Sequence, residues 1–368
     1  MKEFYFTSES VVEGHPDKIC DKIADSILDY ALSKDKNSKM AVEASIKDNF
    51  ILIFGEANTN CDIDYEAIAK KVLKDVGYNE NYDVLVKVNE QSSEINLAVT
   101  RVDGEIAAGD QGIMFGFACD ETDELMPAPI YYAHQLALKL REIHKKYVKL
   151  GPDGKTQVTV KYIDDKVDSI DSIIISTQHS SDLNIETIKE IILEEVIYPT
   201  IPKSLITHNT KYLINPSGSF ILGGSFGDSG TTGRKIVCDT YGGYSRVGGG
   251  CFSSKDPSKV DRSAAYYCRY VAKSIVANNL AKKCEIGVSY AIGHTNPISI
   301  FVDTFGTSNL SDEELNNIIS KNFNFSVTNI INELNLLKPI YAETSCYGHF
   351  GRKKFTWEKV KNLKCNIY

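Results

Sequence analysis

Apolar residues recur at helical spacing near the start of the chain. Ile19, Cys20, Ile23, Ala24, Ile27, Leu28 and Ala31 share one face, which predicts a helix from about Pro16 to Leu32. Pro16 suits a first helical position. The pattern then changes to alternation over Met40–Ile46 and Phe50–Ala57 across a short Lys-Asp-Asn turn, the signature of a hairpin. A second helix is expected at about Ile63–Val76, ending at Gly77, with short strands at Asp83–Val88 and Ile95–Val99. Thr100–Gly112 is polar and glycine-containing and reads as a mobile loop. The middle of the chain repeats the theme, with a helix near Tyr131–Tyr147, strands at Gln157–Ile163 and Ser172–Thr177, and a helix at about Ile185–Ile197. The last third does so again. A long helix runs from Pro257 to about Leu280, strands follow at Ile286–Ala291 and Ser299–Thr304, and helices begin after Ser311 and Ser326. Ser311 with Glu314 forms a capping box.

This element order predicts an α+β fold of three structurally related subdomains, each a mixed sheet covered by helices on one face. The expected divisions are 1–99, a loop at 100–112, 113–224 and 225–368. At 368 residues the chain exceeds one ordinary core, and 42% hydrophobic with 24% charged residues is a globular composition. No apolar run reaches the ~18 residues that cross a bilayer, and Met-Lys-Glu-Phe-Tyr-Phe lacks the apolar core of a signal peptide. Nine scattered cysteines without Cys-x-x-Cys argue for reduced thiols and a cytoplasmic setting, against a disulfide framework or a zinc site. The net charge of −8 without a basic run argues against nucleic-acid binding.

One segment departs from that acidity. Asp228 to Lys273 holds eight cations (Arg234, Lys235, Arg246, Lys255, Lys259, Arg262, Arg269, Lys273) and four carboxylates (Asp228, Asp239, Asp256, Asp261), a net of +4. Glycines crowd the same stretch, from Gly223 through Gly233 and again at Gly248–Gly250. Glycine lets backbone N–H groups approach an anion, cations neutralise it, and carboxylates hold a divalent metal. That combination suits a polyphosphate.

Two helix starts extend the reading. Gly14-His15-Pro16-Asp17-Lys18 opens the first helix, where N–H groups and the helix dipole favour an anion. His15 serves there either as a variant N-cap or as a donor to phosphate. Asp17 either complements the dipole or ligates a metal. Asp256 and Pro257 read as the N-cap and first residue of the long helix, but Lys255 and Lys259 oppose its dipole unless an anion offsets them. Gly227–Lys235 is not a Walker A loop, and no Gly-x-Gly-x-x-Gly or His-Glu-x-x-His motif occurs.

Taken together these segments resemble the S-adenosylmethionine synthetase (methionine adenosyltransferase) family. The matching blocks are Phe6–Lys18, Ala108–Gly116, Met126–Pro129, Ser176–His179, Gly223–Lys235, Asp239–Gly243, Gly248–Arg262 and Tyr347–Gly351, in family order from end to end. The resemblance implies attack of the methionine sulfur on C5′ of ATP, release of the whole triphosphate, and its hydrolysis to diphosphate and phosphate. A thioether has no proton to lose, so no general base is required.

Carried over by the resemblance, His15, Lys166, Arg234, Lys235 and Lys255 are the catalytic set. Asp164, Ser219, Phe220, Asp228 and Cys251 join them around ATP, with Phe220 against adenine. Glu56, Gln91, Asp110, Asp228 and Lys259 match methionine-side positions. Asp17 and Asp261 match magnesium ligands, with two Mg2+ expected per site, and Glu43 matches a K+ site. Thr100–Ala108 matches the gating loop. The resemblance also implies a homodimer with shared active sites, or a homotetramer as a dimer of dimers, and neither nucleic-acid nor membrane partners. The chain departs from the family at Ser219, where Arg is common, at Val247, where His is common, and at Asp165, which interrupts the usual Asp-Gly-Lys before Lys166. Two alternatives stand beside the synthetase: another ATP-consuming transferase or phosphohydrolase using the same clamp, and a nucleotide-binding paralogue without catalysis. Retention of His15, Asp17, Lys166, Lys235, Lys255 and Asp261 speaks against the second.

Overall fold

The computed structural model of the chain describes residues 2–90 and 105–364. Among these described residues eleven strands form three sheets, and each sheet takes strands from distant parts of the chain. The first has the order β1 (Glu3–Val11), β6 (Leu150–Ile163), β7 (Lys166–His179), β8 (Lys211–Ile214), antiparallel except for the parallel β7–β8 pair. The second runs β4 (Asp83–Asn89), β3 (Phe50–Asn58), β2 (Lys39–Lys47), β9 (Gly230–Thr231), with β3–β4 parallel. The third joins β11 (Ser299–Asp303), β10 (Lys283–Tyr290) and β5 (Gly112–Cys119), antiparallel among the described strands. Thus β1 lies in the central sheet, β9 reaches back to the N-terminal sheet, and β5 joins the C-terminal one.

Helices cover one face of each sheet: α1 (Pro16–Lys34) on β2, α3 (Ala128–Lys146) on β1 and β6, and α5 (Val260–Ala277) on β5 and β10. Helix α2 (Tyr65–Val76) packs on α1. One continuous apolar core unites the N- and C-terminal layers, and a second fills the central layer. The expected helix at Ile185–Ile197 is α4 (Ile185–Ile191) followed by a wider π-helical stretch over Ile192–Ile197. The C-terminal pair is α6 (Asp312–Asn322), which carries the Ser311–Glu314 capping box, and α7 (Val327–Glu333), capped by Ser326.

Helix α1 is the organising element, because it is buried on almost every side yet carries four aspartates at successive turns. Their i, i+4 spacing places them on one face, and together they tie down three C-terminal segments. Asp17 accepts from the Thr231 N–H at 3.0 Å and Asp21 from the Gly233 N–H at 2.8 Å. Asp25 takes both Nη atoms of Arg262 at 2.7 and 2.8 Å, and Asp29 accepts from the N–H groups of Tyr341 and Ala342 at 2.9 and 2.8 Å. The buried polar stripe is therefore a set of hydrogen-bonded anchors, which is what makes its burial tolerable.

The long C-terminal helix starts at Val260, three residues later than Pro257. Asp256 is not its N-cap: the fully buried carboxylate accepts from Met40 N–H, Ser258 N–H and the Lys259 ammonium, which fixes the segment to β2 as a turn. Gln91, the strand expected at Ile95–Val99 and residues 100–104 of the expected loop lie outside the described residues. Its distal part is anchored. The Ile106 N–H donates to Thr328 Oγ1 at 2.9 Å, and Ala108 exchanges backbone hydrogen bonds with Gly293 and His294.

Candidate active site

The first charged cluster surrounds the N-terminus of α1. His15 is its N-cap, 4% exposed, and its Nδ1 accepts the Asp17 N–H at 3.2 Å. Burial, and then the positive charges of Lys235 and Lys155, press its pKa down to about 3. The ring is therefore neutral near pH 7, with its proton on Nε2 and that nitrogen a donor. Asp17 is almost fully buried. Burial pushes its carboxyl up, but the hydrogen bonds from Lys235 (Nζ–Oδ2 2.5 Å) and Thr231 N–H win, so it stays below the usual carboxylate range. Arg234 Nε lies 3.6 Å from Asp17 Oδ1, with its side chain half exposed.

Close approach of backbones builds this corner. A Cβ on Gly14 would lie 2.2 Å from the Pro152 carbonyl oxygen, so only glycine lets α1 meet the start of β6. There the Val12 N–H donates to the Gly154 carbonyl and Lys155 pairs with Val11. Lys155 is exposed and makes no ion pair among the described residues. Asp153 is buried and accepts the Gly224 N–H at 2.8 Å; burial raises its pKa to about 6, and the nearby Asp228 adds to that. Phe220 is fixed at the same end of the sheet: its N–H donates to His179 Nε2 at 3.0 Å, and its carbonyl accepts the His179 N–H.

A second cluster lies along β2. Lys255 bridges to Ala41 of β2, and its ammonium holds Asp261 Oδ2 at 2.5 Å. A Cβ on Gly250 would fall 2.1 Å from the Asp261 carboxyl carbon, so the backbone at Gly250 packs directly on this carboxylate. Thr231, in the first cluster, pairs with Ser45 four residues further along β2, which is roughly 14 Å at about 3.4 Å per residue. Glu43 lies midway. Burial raises its carboxyl, Lys255 opposes that, and Glu56 adds to it. Cys251 stands between the clusters, against Gly233 and near Lys255, Glu43, Asp21 and Asp261; burial pushes its thiol up to about 11. Two cationic–acidic clusters thus flank one carboxylate-bearing strand, at the end of a helix whose N–H groups favour anions.

Three family models cover the chain in order: the N-terminal domain of S-adenosylmethionine synthetase over residues 3–100, the central domain over 105–220 and the C-terminal domain over 222–359. The S-adenosylmethionine synthase of Myxococcus xanthus strain DK1622 is 49% identical over 98% of this chain and 94% of its own length. That of Helicobacter pylori strain J99 is 49% identical over 99% of this chain and 98% of its own, and that of Sorangium cellulosum strain So ce56 is 48% identical over 98% and 88%. The chain belongs to the S-adenosylmethionine synthetase family. The expected family, α+β fold and enzyme class stand on these matches, and a requirement for metal ions comes with the family.

Within this synthetase fold the sequence-derived residues divide. His15, Asp17, Arg234 and Lys235 share one cluster; Lys255, Asp261, Glu43, Cys251 and, through their charges, Glu56 are gathered around the other. Asp228 and Phe220 reach the Asp153 corner. Ser219 is exposed beside Phe220. Asp110 precedes β5 with its carboxylate on the Gln111 N–H, next to Gly109, whose N–H donates to the Ser258 carbonyl. The Lys259 ammonium is engaged by Asp256 at 2.6 Å, so both lysines that oppose the α5 dipole are offset by the protein's own carboxylates. Gln91 lies outside the described residues.

Lys166 and Asp164 are not in either cluster. They sit in the β6–β7 turn, where Asp164 accepts the Lys2 N–H at 2.7 Å and Lys166 lines a separate cavity of about 710 Å³ with Tyr244, Lys282 and Lys283. The physical reason is register. Lys155 stands opposite Val11, beside α1, whereas Ile163, which pairs with Lys166, stands opposite Glu3 at the far end of β1. The chain holds an uninterrupted Asp153-Gly154-Lys155, eleven residues before Lys166. That triplet was legible in the sequence and is the one beside His15.

Proposed function

We propose that this chain is a methionine adenosyltransferase in which one triphosphate lies along both clusters. The supporting observation is the exchangeable pairing of Lys235 with Asp17 and of Lys255 with Asp261. When a metal-bearing polyphosphate enters, each lysine can turn to a phosphate oxygen and each aspartate to a cation, so no buried charge is stranded. Asp17 and Asp261 would each hold a Mg2+, and Glu43 a K+. Magnesium usually takes one or two protein carboxylates together with phosphate oxygens, which fits single aspartates outside any three-residue ligand cluster among the described residues. Bound magnesium supplies charge neutralisation to the departing polyphosphate.

The chain's own residues do the rest. The sulfur lone pair forms the S–C5′ bond as the C5′–O5′ bond breaks, and the electron pair leaves on the triphosphate. His15 holds its proton at Nε2 toward O5′, while Lys155, Arg234, Lys235 and Lys255 stabilise the leaving polyanion. Phe220 offers a ring for adenine. Glu56, Gln91, Asp110, Asp228 and Lys259 serve the methionine side, where carboxylates favour the sulfonium. Water then cleaves the triphosphate to diphosphate and phosphate within the same clamp.

We also infer a homodimer with shared sites, assembled further as a dimer of dimers, acting in the cytoplasm. Every sheet leaves large apolar side chains on its uncovered face, such as Phe50 and Leu85, Ile113 and Phe301, and Leu213. Exposed apolar surface of this kind marks an interface. No helix among the described residues is long and apolar enough to cross a membrane. The test is incubation with ATP, methionine, Mg2+ and K+ followed by mass spectrometry. A sulfonium product that requires methionine and both cations is expected. Phosphate release that ignores methionine would point instead to a phosphohydrolase.

A further inference from the structure

We propose that Asp21 is a positioning residue for the polyphosphate clamp, because this one buried carboxylate holds both ends of the segment that carries Arg234 and Lys235. The inference rests on the clamp assignment given above. At the near end, Asp21 Oδ1 accepts the Gly233 N–H at 2.8 Å. At the far end, Asp21 Oδ2 accepts from the Lys18 ammonium at 2.9 Å, and the same ammonium is hydrogen-bonded to Asp239 Oδ1. Asp239 closes the helical turn Ile236–Asp239 that follows Lys235 directly. Asp21 and Lys18 are fully buried and Asp239 is 3% exposed.

Between the two ties, the cationic side chains themselves are held only through Asp17 among the described residues. Arg234 is half exposed, and the Lys235 ammonium is hydrogen-bonded to Asp17. When the lysine leaves Asp17 for a phosphate oxygen, its own ion pair stops defining its place. What remains is the backbone, pinned at Gly233 and at Asp239. A clamp works by preorganised charge, and displacement by about 1 Å is costly. Asp21 touches neither substrate nor metal in this arrangement; it acts through the loop. Thr232 supports the same geometry from the other side, exchanging hydrogen bonds with Ala44 N–H and C=O.

The test combines Asp21→Asn with Lys235→Met in a double-mutant cycle, with protein normalised by folded fraction. Asp21→Asn alone is expected to raise the KM for ATP, and for added tripolyphosphate, by at least tenfold, while the KM for methionine stays within twofold. In the Lys235→Met background the same change should add less than threefold, because the more buried of its two target cations is already gone. Losses that multiply fully across the cycle, or an unchanged KM for both phosphate substrates, would overturn the proposal. Hydrogen exchange on the unaltered enzyme reads the anchor independently of any variant's folding. The Gly233 amide should exchange at least a thousandfold more slowly than an unprotected glycine amide, and exchange near the unprotected rate would also overturn the proposal. A wild-type enzyme that makes no sulfonium product would sink the functional reading and leave the exchange result to stand or fall separately.

Discussion

Exchanging lysine for methionine at positions 155 and 166 separates two placements of the triphosphate. Both side chains are exposed and neither makes an ion pair among the described residues, so each substitution should leave stability within about 0.5 kcal/mol. Lys155 stands beside His15 closely enough for its charge to depress the imidazole. If it meets a phosphate oxygen, its loss removes a preorganised charge at the transition state, which typically costs about 10²–10³ in rate, or roughly 3–4 kcal/mol. Lys166 pairs with Ile163, eight residues further along β6, roughly 27 Å away at about 3.4 Å per residue. Over that distance one unit charge contributes about 0.15 kcal/mol in water before screening. A Debye length of about 8 Å then removes nearly all of it. Lys166→Met should therefore change kcat/KM for ATP by less than about twofold, while Lys155→Met cuts it about a hundredfold or more and Lys155→Arg retains most activity. The assay is sulfonium formation at varied ATP, with tripolyphosphate hydrolysis measured in parallel. A hundredfold loss at Lys166 together with near-normal turnover at Lys155 would refute the placement.

Two further outcomes follow from the buried polar network. Asp25→Ala leaves the Arg262 guanidinium, 1% exposed and stacked 4.3 Å from the Tyr341 ring centroid, without its carboxylate. Stranding such a charge should cost about 3–5 kcal/mol in a reversible denaturant titration; a loss below about 1 kcal/mol would show that the pair is not buried in solution. His144, hydrogen-bonded to Thr177 Oγ1 at 2.8 Å, is held neutral by burial with its pKa down to about 3. Between about pH 6.5 and 3 the unfolded chain binds this proton and the folded chain does not, so the residue's contribution to stability is present above pH 6.5 and shrinks as pH falls. The stability gap between wild type and His144→Gln should narrow by about 1.4 kcal/mol for each pH unit between 6 and 4. A pH-independent gap would mean that His144 titrates normally in the native state.

Much of the fold was legible because its signals are local. The apolar face of α1, the β2–β3 alternation and the Ser311 capping box each declare themselves within a few residues, and all three are present in the structure. The strands that escaped notice are the four-residue β8 and the three that cross between layers. In β1 the positions facing inward include Ser8 and Ser10, which are buried on the Gly242 carbonyl and on His134, so a polar pattern conceals a core strand. Only two residues make up β9, and β5 completes a sheet whose other strands lie more than 160 residues away. Long-range pairing carries no periodic mark. The site divided in the same way. Glycines and cations pointed to the proposed clamp, whereas choosing between Asp153-Gly154-Lys155 and Asp164–Lys166 required the register of β1 on β6. The aspartate stripe of α1 was readable as i, i+4 spacing, but its meaning lies in three segments distant in sequence.

The most direct measurement is a crystal structure of the protein with a non-hydrolysable ATP analogue and Mg2+. Phosphate oxygens are expected within hydrogen-bonding distance of His15 Nε2 and of the Lys155 and Lys235 ammonium groups, with Lys235 released from Asp17. Phosphates seated instead in the cavity lined by Lys166, Lys282 and Lys283 would contradict it.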